Sequence, residues 1–228
     1  MAETMTALTV AALYDLTHTQ AAPLLAGATY PWEVLDEIGG FIRTLGESLP
    51  AEEYDHPAPT VWVHKTATVF PSAYLGENVI IGAHTEVRHG AFVRGNALVG
   101  AGAVVGNSTE LKNVILFDGV QVPHYNYVGD SVLGYKSHMG AGAITSNVKS
   151  DKKPVCVRAG DGKIETGRKK IGAMLGDFVE VGCGSVLNPG TVIGARTRVY
   201  PLSSVRGFVP ADSIYKKQGE VAAQRGDD

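Results

Sequence analysis

Cysteine is scarce in this chain: 228 residues hold two, Cys156 and Cys183, 27 positions apart. That pair supports neither a disulfide framework nor a thiolate metal site, and it fits a reducing cytoplasm. Long apolar runs are missing as well; nothing approaches the roughly 20 residues that a membrane-spanning helix needs. No charged stretch leads into an apolar segment at the N-terminus, so no secretory leader is expected. Positive charge is not in excess. The formal net charge is −3, which argues against general nucleic-acid binding. A soluble, cytoplasmic protein with neither a nucleic-acid nor a membrane partner is the expectation.

What the chain does have is rhythm. From Val63 an aliphatic residue returns every six positions: Val63, Val69, Leu75, Ile81, Val87, Val93, Val99, Val105 and Leu111. The position four later is small or β-branched, as at Ala67, Ala73, Thr85 and Ala91. A period of six suits neither an α-helix nor simple strand alternation. It describes short identical strands that bend at fixed intervals and stack as a solenoid. The rhythm slips by one residue to Leu116, Val122 and Val128, slips again to Leu133 and Met139, and restarts at Leu175 to run through Val205. Glycine, 28 residues in all, is periodic rather than low-complexity and follows many of the aliphatic positions, as corners require. The run Gly100–Gly106 lacks dinucleotide-fingerprint spacing and reads as two more hexads.

Three segments stand outside the repeat. Residues 1–58 form an N-terminal cap, in which Pro31 opens a helix over roughly 31–49 with Val34, Ile38, Phe41, Ile42, Leu45 and Leu49 on one stripe. That helix is expected to close the first coil, with Gly39-Gly40 weakening it. An insertion at 146–174 interrupts the β-helix of residues 59–210; it carries eight cations against three acids, and Asp161-Gly162 predicts a hairpin. A projecting basic arm of this kind suits phosphate groups. Residues 211–228 form a C-terminal tail, with a short helix expected around 213–223.

Candidate site residues follow from the repeat. Arg94 and Lys112 each come directly after an inward aliphatic and are 18 residues, one coil, apart. They are expected to leave one edge a strand spacing apart. Two cations about 5 Å apart repel by roughly 1–3 kcal/mol, and a phosphoryl group between them would turn that repulsion into binding. His124 lies in the polar, aromatic run Pro123-His124-Tyr125-Asn126-Tyr127, where a neutral imidazole could take a proton from an attacking amine. His84 and His89, five residues apart, raise a zinc site of the carbonic-anhydrase kind, but neither His64 nor His124 completes it as a third ligand. No metal is expected in catalysis.

The hexads, together with Gly106-Asn107, Glu110-Leu111-Lys112-Asn113, His124, Tyr127-Val128-Gly129-Asp130, Gly140-Ala141-Gly142 and Ile144-Thr145-Ser146-Asn147, resemble the hexapeptide-repeat acyltransferase superfamily. Within it they resemble the acetyltransferase domain of the bifunctional glucosamine-1-phosphate acetyltransferase/N-acetylglucosamine-1-phosphate uridyltransferase. Glu165–Ala173 is similar to the variant with an inserted basic segment. No stretch resembles the Gly-rich loop of that family's nucleotidyltransferase domain. The resemblance implies an all-β fold, a left-handed parallel β-helix of three hexads per coil, although the usual rule for parallel crossovers favours the right hand. Twenty hexads would make six to seven coils, a prism roughly 30 Å tall.

The resemblance also implies a function: acetyl-CoA-dependent N-acetylation of a phosphorylated amino sugar by a homotrimer. His124 would be the general base. Arg94 and Lys112 would hold the sugar phosphate, with Tyr127, His138 and Lys153 on the sugar. Ala141, Asn147, Cys183 and Lys216 would meet acetyl-CoA. His138 replaces the family's asparagine, Cys183 its serine and Pro201 an alanine, which keeps open a different acceptor, or a non-catalytic scaffold that binds a sugar nucleotide. Lys112 and His124 lie two hexads apart on different faces, and a trimer would bring such groups together.

Overall fold

The structure, a computed structural model, describes residues 5–217 and 219–223. The hexads form a parallel β-helix. A 12-stranded sheet and a 9-stranded sheet run up the prism. The larger sheet covers two faces, because strands such as Tyr74–Ile81, Phe92–Val99, Glu110–Leu116 and Tyr127–Leu133 bend around the corner between them without a break. The inward aliphatics stack coil on coil: Leu111 lies between Val93 of the coil before it and Val128 of the coil after it. All three are fully buried. This is how six-residue periodicity becomes a core: each hexad adds one apolar side chain to a column that only stacking can close.

Two corners bound the polar face of the prism. The front corner, inside the large sheet, carries Asn78, Asn96, Asn113 and Asp130, all with φ between 49° and 57°. Asn and Asp tolerate this left-handed geometry better than other side chains. The back corner joins the 9-stranded sheet to the large one, through Asn107–Ser108, Tyr125, Ala141–Gly142, Cys183–Gly184 and Leu202. Its backbone forms a ladder: Tyr125 N–H donates to Asn107 O at 2.9 Å, Gly142 N–H to His124 O at 3.0 Å, Gly184 N–H to Ala141 O at 2.9 Å, and Leu202 N–H to Cys183 O at 2.9 Å.

The N-terminal segment differs from expectation. The helix 31–49 begins as a 3-10 turn, Pro31–Asp36, and becomes α-helical over Ile38–Glu47. It lies along the side of the prism rather than over its end. The two glycines that weaken it in isolation explain why: a Cβ on Gly39 would strike the Asn96 side chain, and one on Gly46 the Trp62 ring, each at 2.5 Å. Close approach to the coils outweighs propensity here. Further back, Tyr14 Oη donates to Val132 O at 3.3 Å, so the segment spans several coils.

The insertion forms the expected hairpin, Cys156–Ala159 antiparallel to Gly162–Glu165. The tail does not form the expected helix. Ser213–Lys217 instead adds a strand in parallel to Arg198–Val199 and turns back antiparallel to Glu220–Ala223, because the open edge of the last coil offers more hydrogen bonds than an isolated helical turn can make. Among the described residues no helix is long and apolar enough to cross a membrane.

Candidate active site

The face between the two corners holds most of the expected site residues. Arg94 and Lys112 share it, but they are not stacked. Val93 pairs with Leu111, and the next pair is Gly95 with Lys112, across a register shift. Gly95, at φ 140°, absorbs the one-residue slip that the repeat shows between Leu111 and Leu116. The expected pair of unpartnered cations is therefore absent. Arg94 Nη1 meets Glu110 Oε1 at 2.9 Å, and Lys112 Nζ meets Asp130 Oδ1 at 2.7 Å. The bond to Glu110, then the charges of Glu110, Tyr127 and Asp130, hold the Arg94 guanidinium above its ordinary pKa. These groups share one side of the sheet.

Asp130 is the hub. Its side chain is 4% exposed and accepts three donors: Lys112 Nζ, Asn113 Nδ2 at 3.1 Å and Asn147 Nδ2 at 2.6 Å. Asn147 also donates to Tyr127 Oη at 3.1 Å, which leaves the phenolic hydrogen free to donate outward. Burial first, then the Asp130 charge, push the Tyr127 phenol above its ordinary pKa, so that hydrogen is retained at neutral pH. The structure thus places Asn147 with Tyr127 and Asp130, at the opposite edge of the face from Ala141 and Cys183.

Beside Asp130 opens a cavity of about 530 Å³. Lys112, Asn113 and Asp130 form its floor, Leu35 and Asp36 of the N-terminal segment one wall, and Gly167–Lys170 of the arm the other. The walls are tied together. Arg168 pairs with Asp36 at 2.6 Å and donates to Glu33 O at 2.9 Å, while Asn113 donates to Leu35 O at 3.0 Å. Lys169 and Lys170 ion-pair with no carboxylate among the described residues.

His124 stands at the other edge, at the end of its strand in the 9-stranded sheet. The ring is exposed and has no hydrogen-bond partner among the described residues. Ala141 and Cys183 follow above it on the back-corner ladder, both exposed. Three expected residues lie elsewhere. His138 sits on the 9-stranded sheet, between Gln121 and Glu180, with Nδ1 2.8 Å from Glu180 Oε2. There it lines a separate cavity of about 490 Å³. Lys153 lies in the arm's exposed loop, its N–H on Asp151 at 3.1 Å, and does not line the Lys112 cavity. Lys216 lies on the last described coil, 3.7 Å from Glu220. His89 is held by Ser72 at 3.0 Å, and among the described residues no three candidate ligands converge on a metal position.

Sequence reading assigned no role to Asp130, Glu110, Asn113 or Arg168. A signal for two of them existed: Asn78, Asn96, Asn113 and Asp130 recur at one-coil spacing, which marks a polar corner.

A family profile described as the GMPPB C-terminal domain matches residues 83–197, half of the chain. The chain belongs to this family. The matched stretch contains Asp130, every candidate residue except Lys216, and both corners apart from Asn78 and Leu202. A bifunctional sugar-1-phosphate nucleotidylyltransferase/acetyltransferase from Sulfurisphaera tokodaii is 37% identical over 112 residues, covering 49% of this chain and 28% of its own length. A protein from Methanococcus maripaludis named bifunctional protein GlmU is 30% identical over 199 residues, covering 86% and 48%. A putative uncharacterized acetyltransferase, YaiX, from Escherichia coli is 29% identical, covering 61% and 69%. The chain therefore spans less than half the length of the first two relatives. Among solved structures, a hexapeptide transferase family protein from Anaplasma phagocytophilum matches with a TM-score of 0.42 at 15% identity, over 73% of this chain and 80% of that one.

Proposed function

We propose that the protein is an acetyl-CoA-dependent N-acetyltransferase acting on an amino sugar that carries a phosphate. One observation carries the reading: an exposed imidazole, His124, with no hydrogen-bond partner among the described residues, stands on the corner between a ridge of small exposed residues and a face of preorganised polar groups. In this reading the sugar lies along the face, with its hydroxyls toward Tyr127, Glu110 and Asp130. Its phosphate reaches the cavity by the arm, where Lys169 and Lys170 pair with no carboxylate among the described residues and Lys112 lines the floor. The thioester lies on the ridge by Ala141 and Cys183.

The chemistry balances without a further reagent. The amine nitrogen attacks the thioester carbonyl carbon, and His124 takes the proton released from nitrogen. The tetrahedral intermediate collapses with loss of the CoA thiolate, which receives that proton. The thioester is already activated, so positioning and oxyanion stabilisation supply the rest. The Ala141 N–H, which donates to no acceptor among the described residues, is available to the oxyanion.

His124 and His138 belong to one sheet, and Arg94, Lys112 and Tyr127 to the other. A homotrimer that lays the face of one prism beside the corner of the next would join these half-sites. The face supports it: Tyr74 is 59% and Phe92 43% exposed, in register one coil apart, an apolar pair of the kind that interfaces cover. A second reading, a non-catalytic sugar-nucleotide scaffold, draws support from the carboxylates that already neutralise Arg94 and Lys112. Thiol release from acetyl-CoA across a set of amino-sugar phosphates separates the two: turnover supports the enzyme, and binding without thiol release supports the scaffold.

A further inference from the structure

The arm builds a second enclosure higher on the front corner. Its hairpin folds back on the upper coils, and two glycines permit the approach. A Cβ on Gly190 would meet Val155 Cγ1 at 2.8 Å, and one on Gly207, whose φ is 74°, would meet the Arg158 carbonyl oxygen at 3.0 Å. Between hairpin and corner lies a cavity of about 460 Å³, lined by Lys149, Cys156, Arg158, Pro189, Arg206 and Gly207. It shares no lining residue with the cavity at Lys112 and Asp130.

The lining is cationic and contains no carboxylate. Lys149 is paired with Asp151 at 3.2 Å. Arg158 and Arg206 ion-pair with no carboxylate among the described residues. Glu165, on the same hairpin, is already engaged by Lys163 at 2.7 Å and by the Cys156 thiol at 3.0 Å. That bond to Glu165 pushes the Cys156 thiol up, so the sulfur adds no negative charge at neutral pH. Three elements far apart in sequence, the arm's entry, its hairpin and the corner at 206, thus bring cations to one space, and of these only Lys149 has a carboxylate partner among the described residues. Such an arrangement is repulsive when empty and favourable around an anion. Two guanidinium groups suit the bidentate geometry of phosphate oxygens, and the volume lies within the range that small organic ligands occupy, about 300–1,000 Å³.

We propose that this cavity is a second anion site that takes a diphosphate group, either free pyrophosphate or the diphosphate of a nucleotide. The proposal does not depend on acetyl transfer, because its readout is binding.

The test is calorimetric titration of the whole chain at low salt with inorganic pyrophosphate and, separately, with a nucleoside diphosphate. Saturable binding of pyrophosphate is expected. It should weaken about tenfold or more in Arg158→Gln/Arg206→Gln, with the melting temperature unchanged because both side chains are exposed. It should persist in Lys169→Gln/Lys170→Gln, which removes the same charge from the other cavity. Tighter binding of the nucleoside diphosphate would identify a nucleotide as the source; equal or weaker binding would identify the diphosphate alone. No saturable binding by the wild type, or equal weakening in both double variants, overturns the site.

Discussion

The carboxylate of Asp130, almost closed to solvent, holds the Lys112 ammonium at 2.7 Å. Because Asn113 and Asn147 converge on the same carboxylate, one side chain orders the floor of the cavity beside it and the outward face of Tyr127. Replacing Asp130 with Asn turns one of its acceptor oxygens into a donor and leaves a converging donor unsatisfied, at about 1–3 kcal/mol. Urea unfolding should show that loss, and acceptor KM should rise more than kcat falls. A variant of wild-type stability and KM would deny Asp130 its role as a positioning residue.

His124→Ala should lower turnover by about 100- to 10,000-fold, the range for a positioned general base. The residue is exposed and its ring has no hydrogen-bond partner among the described residues, so the melting temperature should not move. Wild-type turnover in the variant would remove His124 from the chemistry.

Light scattering should find three chains per particle. Tyr74→Glu/Phe92→Glu, on exposed positions, should dissociate the particle and abolish turnover while each prism keeps its β-sheet circular dichroism. A fully active monomer refutes the half-site account.

Two partly buried carboxyls make stability depend on pH: Asp177, which holds the N-terminal segment through Asp15 N–H, and Asp118, which accepts from Ala101 N–H at 2.7 Å. Burial, as the leading cause, raises Asp118 and Asp177 above their ordinary value of 3.8. Asp177 accepts from Asp15 N–H at 2.7 Å and Tyr135 N–H at 2.8 Å. A folded-state pKa above the unfolded one means that the folded state holds the proton more tightly. The stability so contributed is complete below 3.8 and is lost as pH rises through the raised values. Denaturant titrations should show this slope, and Asp118→Asn/Asp177→Asn should flatten it. An unchanged slope in that variant would assign the dependence to other groups.

Gly106→Ala tests the packing of one coil on the next. A Cβ there would overlap the Pro123 backbone, which has no room to move between stacked strands. Overpacking of this kind destabilises by about 1–3 kcal/mol or more, and thermal melting should report it. A neutral result would mean that the coils are spaced more loosely than the backbone indicates.

Much of the fold was legible because a solenoid writes its core into sequence spacing. Val93, Leu111 and Val128 occupy the interior as their hexad positions require. The basic hairpin was legible from Asp161-Gly162 and its flanking strands. The grouping of the candidate residues was legible in part. His124, Ala141 and Cys183 do share a ridge, and Arg94, Lys112 and Tyr127 do share a face. Counting residues failed where the count itself slipped: the hexad between Leu111 and Leu116 is one residue short, so Lys112 falls opposite Gly95 rather than Arg94, and Arg94 pairs with Glu110 and Lys112 with Asp130. His138 and Lys153 were placed by resemblance, which cannot say which cavity an outward side chain lines.

By itself the order of residues settled the repeating strand, the inward column and the corner residues, since each depends on neighbours within a few positions. The pairing of charges, the lie of the N-terminal helix along the prism and the two cavities beside the arm were decided only by the folded chain. They depend on groups from remote segments arriving within hydrogen-bond distance, and on glycines at which one backbone comes up against another element. Local spacing carries no record of either.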